Sequence, residues 1–563
     1  MMNRHILILT FFISLIVPNG YAQNLLSVDW QNNVCSNHYI SNVYSVCNDN
    51  DGNTYTLGSF SNEANSLGEN ISDSIGAYFL TKQNPNGEKL FTKNFGGTDN
   101  LTFGDIKVCN NGDLILGLSF KSTFFINGDS ITNSLNWSSI IIKLDQNFNL
   151  KWFKKFPANN STYINRIVLD SEENIYASIL FLDSLLINGN TYSQNKGYGT
   201  AIVKLNWTGG VLWSNHYYSE NNLTNENLKI NKACNSCPET LFISGSIGGD
   251  SVYVNGVFKA QHKSKFNSQL FVATIDEHGS VLQTKLLDDG IRSIADFDFY
   301  DDRIFIAGAY VDTVNWEGTY LTPNDYRSIY IGELNENVDL VGFADLESSK
   351  SFYLTGFKIS PQFGFLISGT FDGSFSLQSS FLTLSDNYKK GSFIASIDES
   401  LELNECKYIK GGYYNLRSLS IFKNKITGSA IFRQTCNFLN QNTFGSNNDI
   451  STFMTSDIKQ LLAFNPDTFP IPEIPVPPIP FSVQIYPNPF NTNFRIKFSE
   501  TINAASLKMT NSIGQICRNI NISQINDKEI VIDASNLQTG SYIIKYLIDN
   551  KYQGVYKLIK VNH

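Results

Sequence analysis

The chain has 563 residues, of which 42% are hydrophobic, 13% aromatic and 17% charged. This composition is typical of a folded protein and excludes an intrinsically disordered chain, and the length exceeds that of one ordinary core. The formal net charge of -9 argues against nucleic acid binding, which requires clustered Lys and Arg side chains.

The N-terminus has the layout of a cleaved secretory signal peptide over residues 1–22. Arg4 precedes an apolar run from Ile6 to Val17, and the small residues Gly20 and Ala22 precede Gln23 at the usual cleavage spacing. The apolar run is too short to span a membrane comfortably. We therefore expect an exported protein.

Export places the eight cysteines in a compartment that permits disulfides. Cys234 and Cys237 form one Cys-x-x-Cys pair, whereas a zinc site would need a second such pair or histidines at ligand spacing. The sequence leaves local disulfides and buried thiols as equal alternatives. We expect no metal and no other cofactor.

Seven repeats occupy residues 23–463. They align on a short strand-like element, "YTLGSF" around Gly58 in the first copy and "LILGLSF" around Gly117 in the second, and successive copies are 59 to 67 residues apart. Each repeat contains four runs of β-branched and aromatic residues bounded by Gly, Asn, Asp or Pro, which is typical of strands and hairpins. Four strands repeated seven times predict an all-β fold, namely a seven-bladed β-propeller.

The seventh repeat has no convincing fourth strand before a proline-rich segment begins. A strand of matching pattern, "NLLSVDWQNN", stands instead before the first repeat. Its Trp30 corresponds to Trp152 and Trp213 in the fourth strands of two other repeats. We therefore predict that the N-terminal strand completes the last blade and closes the ring.

The segment "NDNDGNTY", from Asn48 to Tyr55, has the composition of either a calcium loop or a hairpin turn. The other repeats keep the turn without the carboxylates, and Cys47 stands where an EF-hand loop has its first ligand. Asn, Asp and Gly accept the positive φ that hairpin turns need. The sequence therefore favours a turn.

Three lysines, Lys82, Lys143 and Lys204, recur at one position of the third strand in the first three repeats. Later repeats carry other residues there, which the sequence aligns as Thr274, Gly332 and Ser396. If this position faces the propeller channel, the three cations could meet an acidic ligand such as a uronic acid sugar. Solvated or paired lysines are the alternative.

No catalytic residue is identified. The sequence has neither an H-E-x-x-H pair nor a G-x-S-x-G nucleophile elbow, and His278 lies at a predicted hairpin turn. A Ser-His-Asp set drawn from distant repeats is defined only in space. The expectation is a protein without enzymatic activity.

Residues 464–480 form a proline-rich linker, since alternating prolines hold an extended, semi-rigid tether. After it, residues 481–563 contain short strands that predict a small Ig-like β-sandwich. Four motifs in this segment, "IYPNPF", "NSIGQ", "IDASNLQTGSYIIKY" and "YKLIKVNH", resemble the C-terminal sorting domain of the type IX secretion system of Bacteroidetes.

This resemblance implies a set of signal-bearing positions: Pro487, Asn488, Pro489, Gly514, Leu537, Gly540, Tyr542, Lys557 and Lys560. It further implies that the type IX machinery and a sortase are partners and that the mature protein lies at the outer cell surface, attached to an anionic lipopolysaccharide. The repeats resemble, more loosely, the SBBP-like propeller repeats of secreted bacterial proteins. That second resemblance implies a fold and no activity.

Together these features predict a secreted or surface-displayed propeller that acts as a binding or adhesion module for an extracellular glycan or protein. The alternatives are a polysaccharide lyase or glycoside hydrolase, and a structural component of a matrix or motility apparatus. An enzyme predicts acidic or basic side chains with perturbed pKa values at one channel mouth, whereas a binding module predicts an aromatic or Asn-rich rim.

Overall fold

The computed structural model describes most of the chain. The described residues are 26, 28–36, 42–66, 69–97, 102–133, 137–231, 239–261, 269–287, 291–300, 303–311, 313–316, 319–323, 327–346, 348–349, 352–378, 380–383, 390–438, 441–456, 458, 460, 483–498, 505–511, 517, 521–526, 528–548 and 552–561. The predicted signal peptide (1–22), the predicted linker (464–480) and the Cys-x-x-Cys pair lie outside them.

The chain divides into two compact units, Met1–Pro472 and Glu473–His563. Every described helix or strand element is a β-strand, and the strands pair antiparallel, so the fold is all-β as predicted. Among these described residues, no helix has the length and apolar character needed to cross a membrane.

The first unit begins with β1 (Trp30–Ser36) and continues with successive groups of four strands, which pair in chain order within each group. Group 1 contains β2 (Asn42–Asn48), β3 (Thr54–Ser66), β4 (Glu69–Gln83) and β5 (Lys89–Gly97). Group 2 contains β6 (Thr102–Val108), β7 (Leu114–Phe120), β10 (Ser138–Leu144) and β11 (Leu150–Phe156), with a hairpin of β8 (Thr123–Ile126) and β9 (Asp129–Thr132) inserted between β7 and β10.

Group 3 contains β12 (Ser161–Leu169), β13 (Ile175–Ile187), β14 (Asn190–Leu205) and β15 (Val211–Tyr218). Group 4 contains β16 (Leu223–Asn231), β17 (Thr240–Ile247), β20 (Gln269–Asp276) and β21 (Val281–Leu286), with the inserted hairpin β18 (Ser251–Val254) and β19 (Val257–Gln261). Group 5 contains β22 (Ile291–Tyr300), β23 (Arg303–Tyr310), β26 (Ser328–Leu334) and β27 (Leu340–Asp345), with the inserted hairpin β24 (Val314–Trp316) and β25 (Thr319–Leu321).

Group 6 follows the short β28 (Ser348–Ser349) and contains β29 (Phe352–Ser360), β30 (Gly364–Asp372), β33 (Lys390–Ile397) and the first half of β34 (Leu403–Phe422), with the inserted hairpin β31 (Ser374–Leu377) and β32 (Ser380–Thr383). Group 7 contains the second half of β34, then β35 (Lys425–Phe438) and β36 (Gln441–Thr455). Its fourth strand is β1, because Trp30 pairs with Met454 and Val34 with Ile450. The predicted completion of the last group by the N-terminal strand is therefore confirmed.

The strands of a group differ in burial according to their place in it. In group 2, the second strand β7 ("LILGLSF") and the third strand β10 ("SSIIIKL") are buried along their whole length. The fourth strand β11 ("LKWFKKF") alternates between exposed and less exposed positions. A strand covered on both faces reads as a continuous apolar run, and a half-exposed strand alternates. The repeated apolar runs in the sequence are therefore the middle strands of each group.

The first strands of the groups contact one another in a cyclic order. Asp105 of β6 joins group 1 to group 3, accepting hydrogen bonds from Ser45 Oγ of β2 at 2.7 Å and from Ile167 N of β12 at 2.8 Å. The order then runs through β16, β22, β29 and β34. It returns to group 1 where Val46 N of β2 donates to Ser418 Oγ of β34 at 3.3 Å.

Two of the inserted hairpins pair with the last strand of the preceding group. In group 2, Phe125 of β8 pairs with Gly96 of β5, and in group 4, Val254 of β18 pairs with Tyr217 of β15. The tips of these two hairpins are the Asn-Gly pairs Asn127-Gly128 and Asn255-Gly256, with positive φ at both residues. This is the turn chemistry that closes two-residue hairpins. These two hairpins extend the sheet of the preceding group, whereas β24 and β25 form a sheet of their own and β31 and β32 pair with β28.

The second unit contains two sheets that share one apolar core. One sheet has the strand order β37 (Val483–Tyr486), β38 (Asn493–Phe498), β41 (Glu529–Asp533) and β40 (Asn521–Asn526). The other has the order β39 (Ala505–Asn511), β42 (Gly540–Ile548) and β43 (Tyr552–Lys560). Both sheets contribute to the core, for example through Phe494, Ile532 and Ile544.

Candidate functional site

A cavity of about 610 Å³ lies where the first strands of the seven groups meet. Its volume is in the range that small-molecule sites occupy in proteins. Each of the strands β2, β6, β12, β16, β22, β29 and β34 contributes lining residues. The charged members of this lining are Asp105, Lys107, Arg166, Lys229, Asp296, Asp298 and Lys358.

Every strand that lines the cavity carries a β-bulge. The register shifts fall at Val43/Ser45, Thr102/Gly104, Ile164/Arg166, Asn225/Asn227, Ile294/Asp296, Leu354/Gly356 and Leu416/Ser418. A bulge inserts one residue and so reverses which face the following side chains point to. The bulges therefore decide which polar side chains reach the cavity.

Asp105 is the most buried charge of the cavity lining, with 3% of its surface exposed. Its Oδ1 accepts a hydrogen bond from Lys107 Nζ at 2.8 Å, in addition to those from β2 and β12. Burial by itself would raise the pKa of Asp105, but Lys107, Arg166 and the Ile167 N–H outweigh burial and hold that pKa below its usual value. Asp105 is therefore a fixed carboxylate that holds three neighbouring strands together.

A second ion-pair cluster lies between β16, β22 and β29. Lys229 Nζ is 3.1 Å from Asp296 Oδ2 and 3.4 Å from Asp298 Oδ1, and Lys358 Nζ is 3.6 Å from Asp296 Oδ2. Burial lowers the pKa of Lys229 despite the two carboxylates. Although burial would raise the pKa of Asp296, the two ammonium groups hold it below its usual value.

Lys358 of β29 is a further cation of the cavity lining. Burial and the Arg166 guanidinium both lower its pKa, but Asp296 and Asp298 outweigh them and raise it. Arg166 belongs to β12 and Lys358 to β29, and both line the same cavity. The cavity therefore has a cation on each of these two strands of its wall.

Two of the lining strands carry an aromatic side chain near their start, Tyr163 on β12 and Tyr353 on β29, and two further rings lie beside Tyr163. Tyr163, three residues before Arg166 on β12, has its ring centroid 5.8 Å from that of Trp137 and 6.3 Å from that of Tyr198. All three rings are partly exposed. Tyr353, two residues before Thr355 on β29, is 58% exposed and lies under the Arg327 guanidinium at 5.1 Å. We call Trp137, Tyr163, Tyr198 and Tyr353 the aromatic rim.

The repeated lysines occupy a different place. Each lies close to an aspartate in the turn between the first two strands of its own group, with Nζ to Oδ2 distances of 3.4 Å for Lys82 and Asp49, 3.5 Å for Lys143 and Asp113, and 3.3 Å for Lys204 and Asp170. Lys82 and Lys204 also lie over the rings of Tyr55 and Tyr176. The described lining of the cavity contains none of the three lysines.

The register in group 5 corrects the sequence alignment of this position. Glu333 pairs with Phe305 as Lys143 pairs with Ile115, so Glu333 and not Gly332 is the equivalent residue. Glu333 accepts two hydrogen bonds from the Arg303 guanidinium, at 2.7 and 2.8 Å. Group 5 therefore also has an ion pair at this position, but the third strand carries the negative charge and the second strand the positive one.

The segment weighed as a calcium loop is a hydrogen-bonded turn. Asp49 Oδ1 accepts from Asn53 N at 2.8 Å and from Asp51 N at 3.1 Å, and Asp49 Oδ2 accepts from Asn53 Nδ2 at 2.8 Å. Gly52 takes the positive φ of 83° that the turn requires. A search of the described residues finds no cluster of His, Cys, Asp and Glu side chains that could hold a metal ion.

Of the eight cysteines, Cys47, Cys109, Cys406 and Cys517 are free thiols. Burial raises the pKa of Cys47 to about 12, and it does the same for Cys109 and Cys406. Thiols with such pKa values are poor nucleophiles at neutral pH. The thiols of Cys47, Cys109 and Cys406 are therefore packing groups.

In the second unit, the residues proposed to carry the sorting signal meet at one edge. Asn488 Nδ2 donates to the Lys557 carbonyl and Asn488 Oδ1 accepts from Ile559 N, both at 2.9 Å. The following Phe490 exchanges two main-chain hydrogen bonds with the last strand and its end, to Ile559 and Val561. The segment of Pro487, Asn488 and Pro489 is therefore held against β43.

Lys560, at the end of β43, also contacts the residues that follow Pro489. Its side chain is buried, contacts the Asn491 carbonyl through Nζ, and lies over the Phe490 ring at 5.6 Å. Gly540 pairs with Lys560, and Tyr542 pairs with Leu558. Of the remaining predicted positions, Leu537 packs against the core of the second unit, and Gly514 lies outside the described residues.

No pattern in the sequence points to the charges of the cavity. Lys107, Arg166 and Lys229 stand in three different repeats, each beside unlike neighbours, and no spacing relates them. The bulged first strands offered the one available indication, because they interrupt the alternation of apolar and polar residues. The charged residues of the first strand in each repeat are the set that this interruption singles out.

Comparison with known proteins places the second unit in a described family. Residues 484–561 match the family model described as the secretion system C-terminal sorting domain. A search of curated proteins finds no match to the chain.

Solved structures resemble the chain only remotely. A thermostable family-43 glycoside hydrolase is 11% identical over 55% of this chain and 95% of its own, with a TM-score of 0.27. Sucrose-6-phosphate hydrolase from Lactobacillus gasseri is 10% identical over 79% of this chain and 94% of its own, with a TM-score of 0.26. Likenesses this low carry no argument about what this chain does.

The sorting domain at residues 484–561 indicates interaction with the type IX secretion machinery, export and attachment at the cell surface.

Proposed function

We propose that the first unit is a seven-bladed β-propeller and the second an Ig-like sandwich. The cyclic order of hydrogen bonds between the first strands, from Ser45 and Asp105 round to Ser418 and Val46, supports the propeller. The pairing of β1 with β36 supports its closure, since a closed ring removes the exposed edge that a linear array would leave.

We further propose that this propeller is a non-enzymatic binding module which takes an extracellular glycan at the aromatic rim and the cavity behind it. The observation that carries this proposal is the set of exposed and partly exposed rings of the aromatic rim, of which Tyr163 and Tyr353 stand near the starts of lining strands. Aromatic rings offer flat, rigid contact surface at low entropic cost, and polar groups in a cavity fix the orientation of a ligand. A sortase then exchanges the second unit for a lipopolysaccharide anchor, which leaves the rim on the outer surface.

The alternative, a glycoside hydrolase, requires a carboxyl group whose pKa is raised so that it can act as a general acid. In the cavity, Asp105 and Asp296 have pKa values held below the usual range by neighbouring cations. Ionised carboxylates in ion pairs are suited to holding structure and charge in place. The charge distribution therefore favours binding over hydrolysis.

The test is glycan binding by the exported protein and by variants of the rim. Tyr163→Ala and Tyr353→Ala each remove one ring, and we expect each to weaken glycan binding by roughly three- to tenfold, the worth of one aromatic contact. Phe153→Ala is the matched control, because Phe153 is 44% exposed on the outer strand β11, away from the rim.

Binding that survives both rim substitutions, or falls equally in the control, would contradict the proposal. Any glycan that binds is then incubated with the protein, and new reducing or unsaturated ends are measured. The appearance of such ends, lost in Asp296→Asn, would establish the enzyme alternative instead.

A further inference from the structure

The charges that line the cavity do not cancel. The described lining has four cations, Lys107, Arg166, Lys229 and Lys358, and three carboxylates, Asp105, Asp296 and Asp298. Each carboxylate contacts a lysine: Asp105 pairs with Lys107, Asp296 with Lys229 and Lys358, and Asp298 with Lys229. One positive charge is left over among these residues.

We assign that charge to Arg166, which lowers the pKa of Asp105 but forms no ion pair with a described carboxylate of the lining. Its side chain is exposed to the cavity, and its Nη1 contacts the Asn165 carbonyl at 3.4 Å. Arg166 follows the bulge of β12 at Ile164/Arg166, which aims the guanidinium into the enclosed space. It also lies three residues from Tyr163 of the aromatic rim, so a ligand at the rim can reach it.

We propose that the cavity binds the carboxylate of an acidic sugar, held by the Arg166 guanidinium with Lys358 on the opposite side, and that the ligand of the rim is therefore a uronic acid glycan. This inference rests on the proposed function. A planar guanidinium matches a carboxylate with two parallel hydrogen bonds. A single uncompensated positive charge fits a carboxylate, with one negative charge, better than a dianionic phosphate group.

The experiment compares matched ligands that differ only in charge. Oligosaccharides of galacturonate, glucuronate, mannuronate and guluronate are each tested beside their carboxyl-reduced forms, which keep the sugar and lose the anion. For the exported protein we expect at least one acid form to bind about tenfold or more tighter than its reduced form, as one charge-assisted hydrogen-bonded pair provides. This preference should decrease as salt concentration rises.

Arg166→Gln should abolish the preference and its salt dependence while leaving the affinity for the reduced form unchanged. Arg166→Lys keeps the charge and should retain part of the preference, which shows that a loss in the Gln variant is not a loss of folding. Lys155→Gln is the control, since it removes an equal charge from the exposed face of β11.

The outcomes separate this inference from the function on which it rests. If acid and reduced forms bind alike and Arg166→Gln changes neither, the carboxylate site is wrong while glycan binding stands. If glycans of neither form bind the protein, both fail. If the preference persists in Arg166→Gln, the anion lies elsewhere and the assignment to Arg166 is overturned.

Discussion

Trp152 of β11 donates a hydrogen bond through Nε1 to the main-chain carbonyl of Trp207 at 3.2 Å, and so joins the outer strand of group 2 to a turn of group 3. The same contact recurs around the first unit. Trp213 Nε1 reaches the Glu277 carbonyl at 3.0 Å, and Trp30 Nε1 reaches the Pro85 carbonyl at 3.2 Å. Trp30 does so from the N-terminal strand, which therefore takes the full role of a fourth strand in group 7.

Trp213→Phe tests this link. The substitution keeps an aromatic ring over Gly279 and removes the hydrogen bond to Glu277, so we expect the free energy of unfolding to fall by about 1 kcal/mol. The midpoint of urea unfolding measures the change. Trp207→Phe is the control. The Trp207 side chain is 60% exposed, and the substitution keeps the main-chain carbonyl that accepts the hydrogen bond from Trp152. An equal loss in the two variants would contradict the role given to the indole N–H.

Asp105→Ala removes the carboxylate that holds β2, β6 and β12 together. The change leaves the Ile167 N–H buried without its acceptor and Lys107 without its partner, and we expect a loss of about 2 to 4 kcal/mol in the free energy of unfolding. The same denaturant titration measures it. Asp145→Ala serves as a comparison, since Asp145 caps an exposed turn, and a loss as large as that of Asp105→Ala would show that no special role attaches to the cavity carboxylate.

His216 gives the first unit a stability that depends on pH. Its ring stacks against Tyr218 with centroids 4.7 Å apart, and burial lowers its pKa from 6.5 to about 4. Between these values the unfolded chain binds a proton that the folded chain excludes, so stability is complete above pH 6.5 and is lost progressively as pH falls toward 4.

We expect His216→Phe to keep the aromatic stack and to remove this part of the pH dependence. Unfolding midpoints of both proteins at pH 7 and pH 5 provide the measurement. The difference between the wild type and the variant should shift in favour of the variant at pH 5. A difference that is the same at both pH values would show that His216 does not titrate in this range.

Asn488→Ala tests whether the contact of Asn488 with β43 belongs to the export signal. The change removes the hydrogen bonds to Lys557 and Ile559 at an exposed edge, so we expect the protein to fold but to accumulate inside the cell envelope, with at least a severalfold lower amount at the cell surface. Surface protease accessibility in intact cells measures this. Asn493→Ala is the control, because Asn493 is an exposed residue at the start of β38. Normal surface display of Asn488→Ala would remove Asn488 from the signal.

The sequence predicted the features that recur and missed those that do not. The turns of the repeats and the closing strand could be predicted because Asn, Asp and Gly mark each turn and because Trp30 matches Trp152. The lysines at 82, 143 and 204 also recur, and each has a local reason to do so, an ion pair with the turn aspartate of its own group. Repetition in such a chain reports what every group needs in order to fold.

The cavity is different, because its residues are unlike from one group to the next. Arg166 stands in group 3 and Lys358 in group 6, and only the cyclic order of the groups brings them to one space. The bulges add a second obstacle, since a single inserted residue reverses the side on which every later side chain lies. The sequence alignment of Gly332 with the lysines was also wrong by one residue, because the strand register places Glu333 at the equivalent position.

The pairing of β1 with β36 has a mechanical consequence. β36 is the last described strand of the first unit before the second unit begins, so tension on a tethered protein would reach the first unit from the side of that strand. β36 has β35 on one side and β1 on the other, and a pull must shear two ladders of hydrogen bonds at once before the strand can leave. A strand at the rim of the sheet would instead detach from a single neighbour. The N-terminal strand thus reinforces the point at which flow or contact between cells would load the molecule.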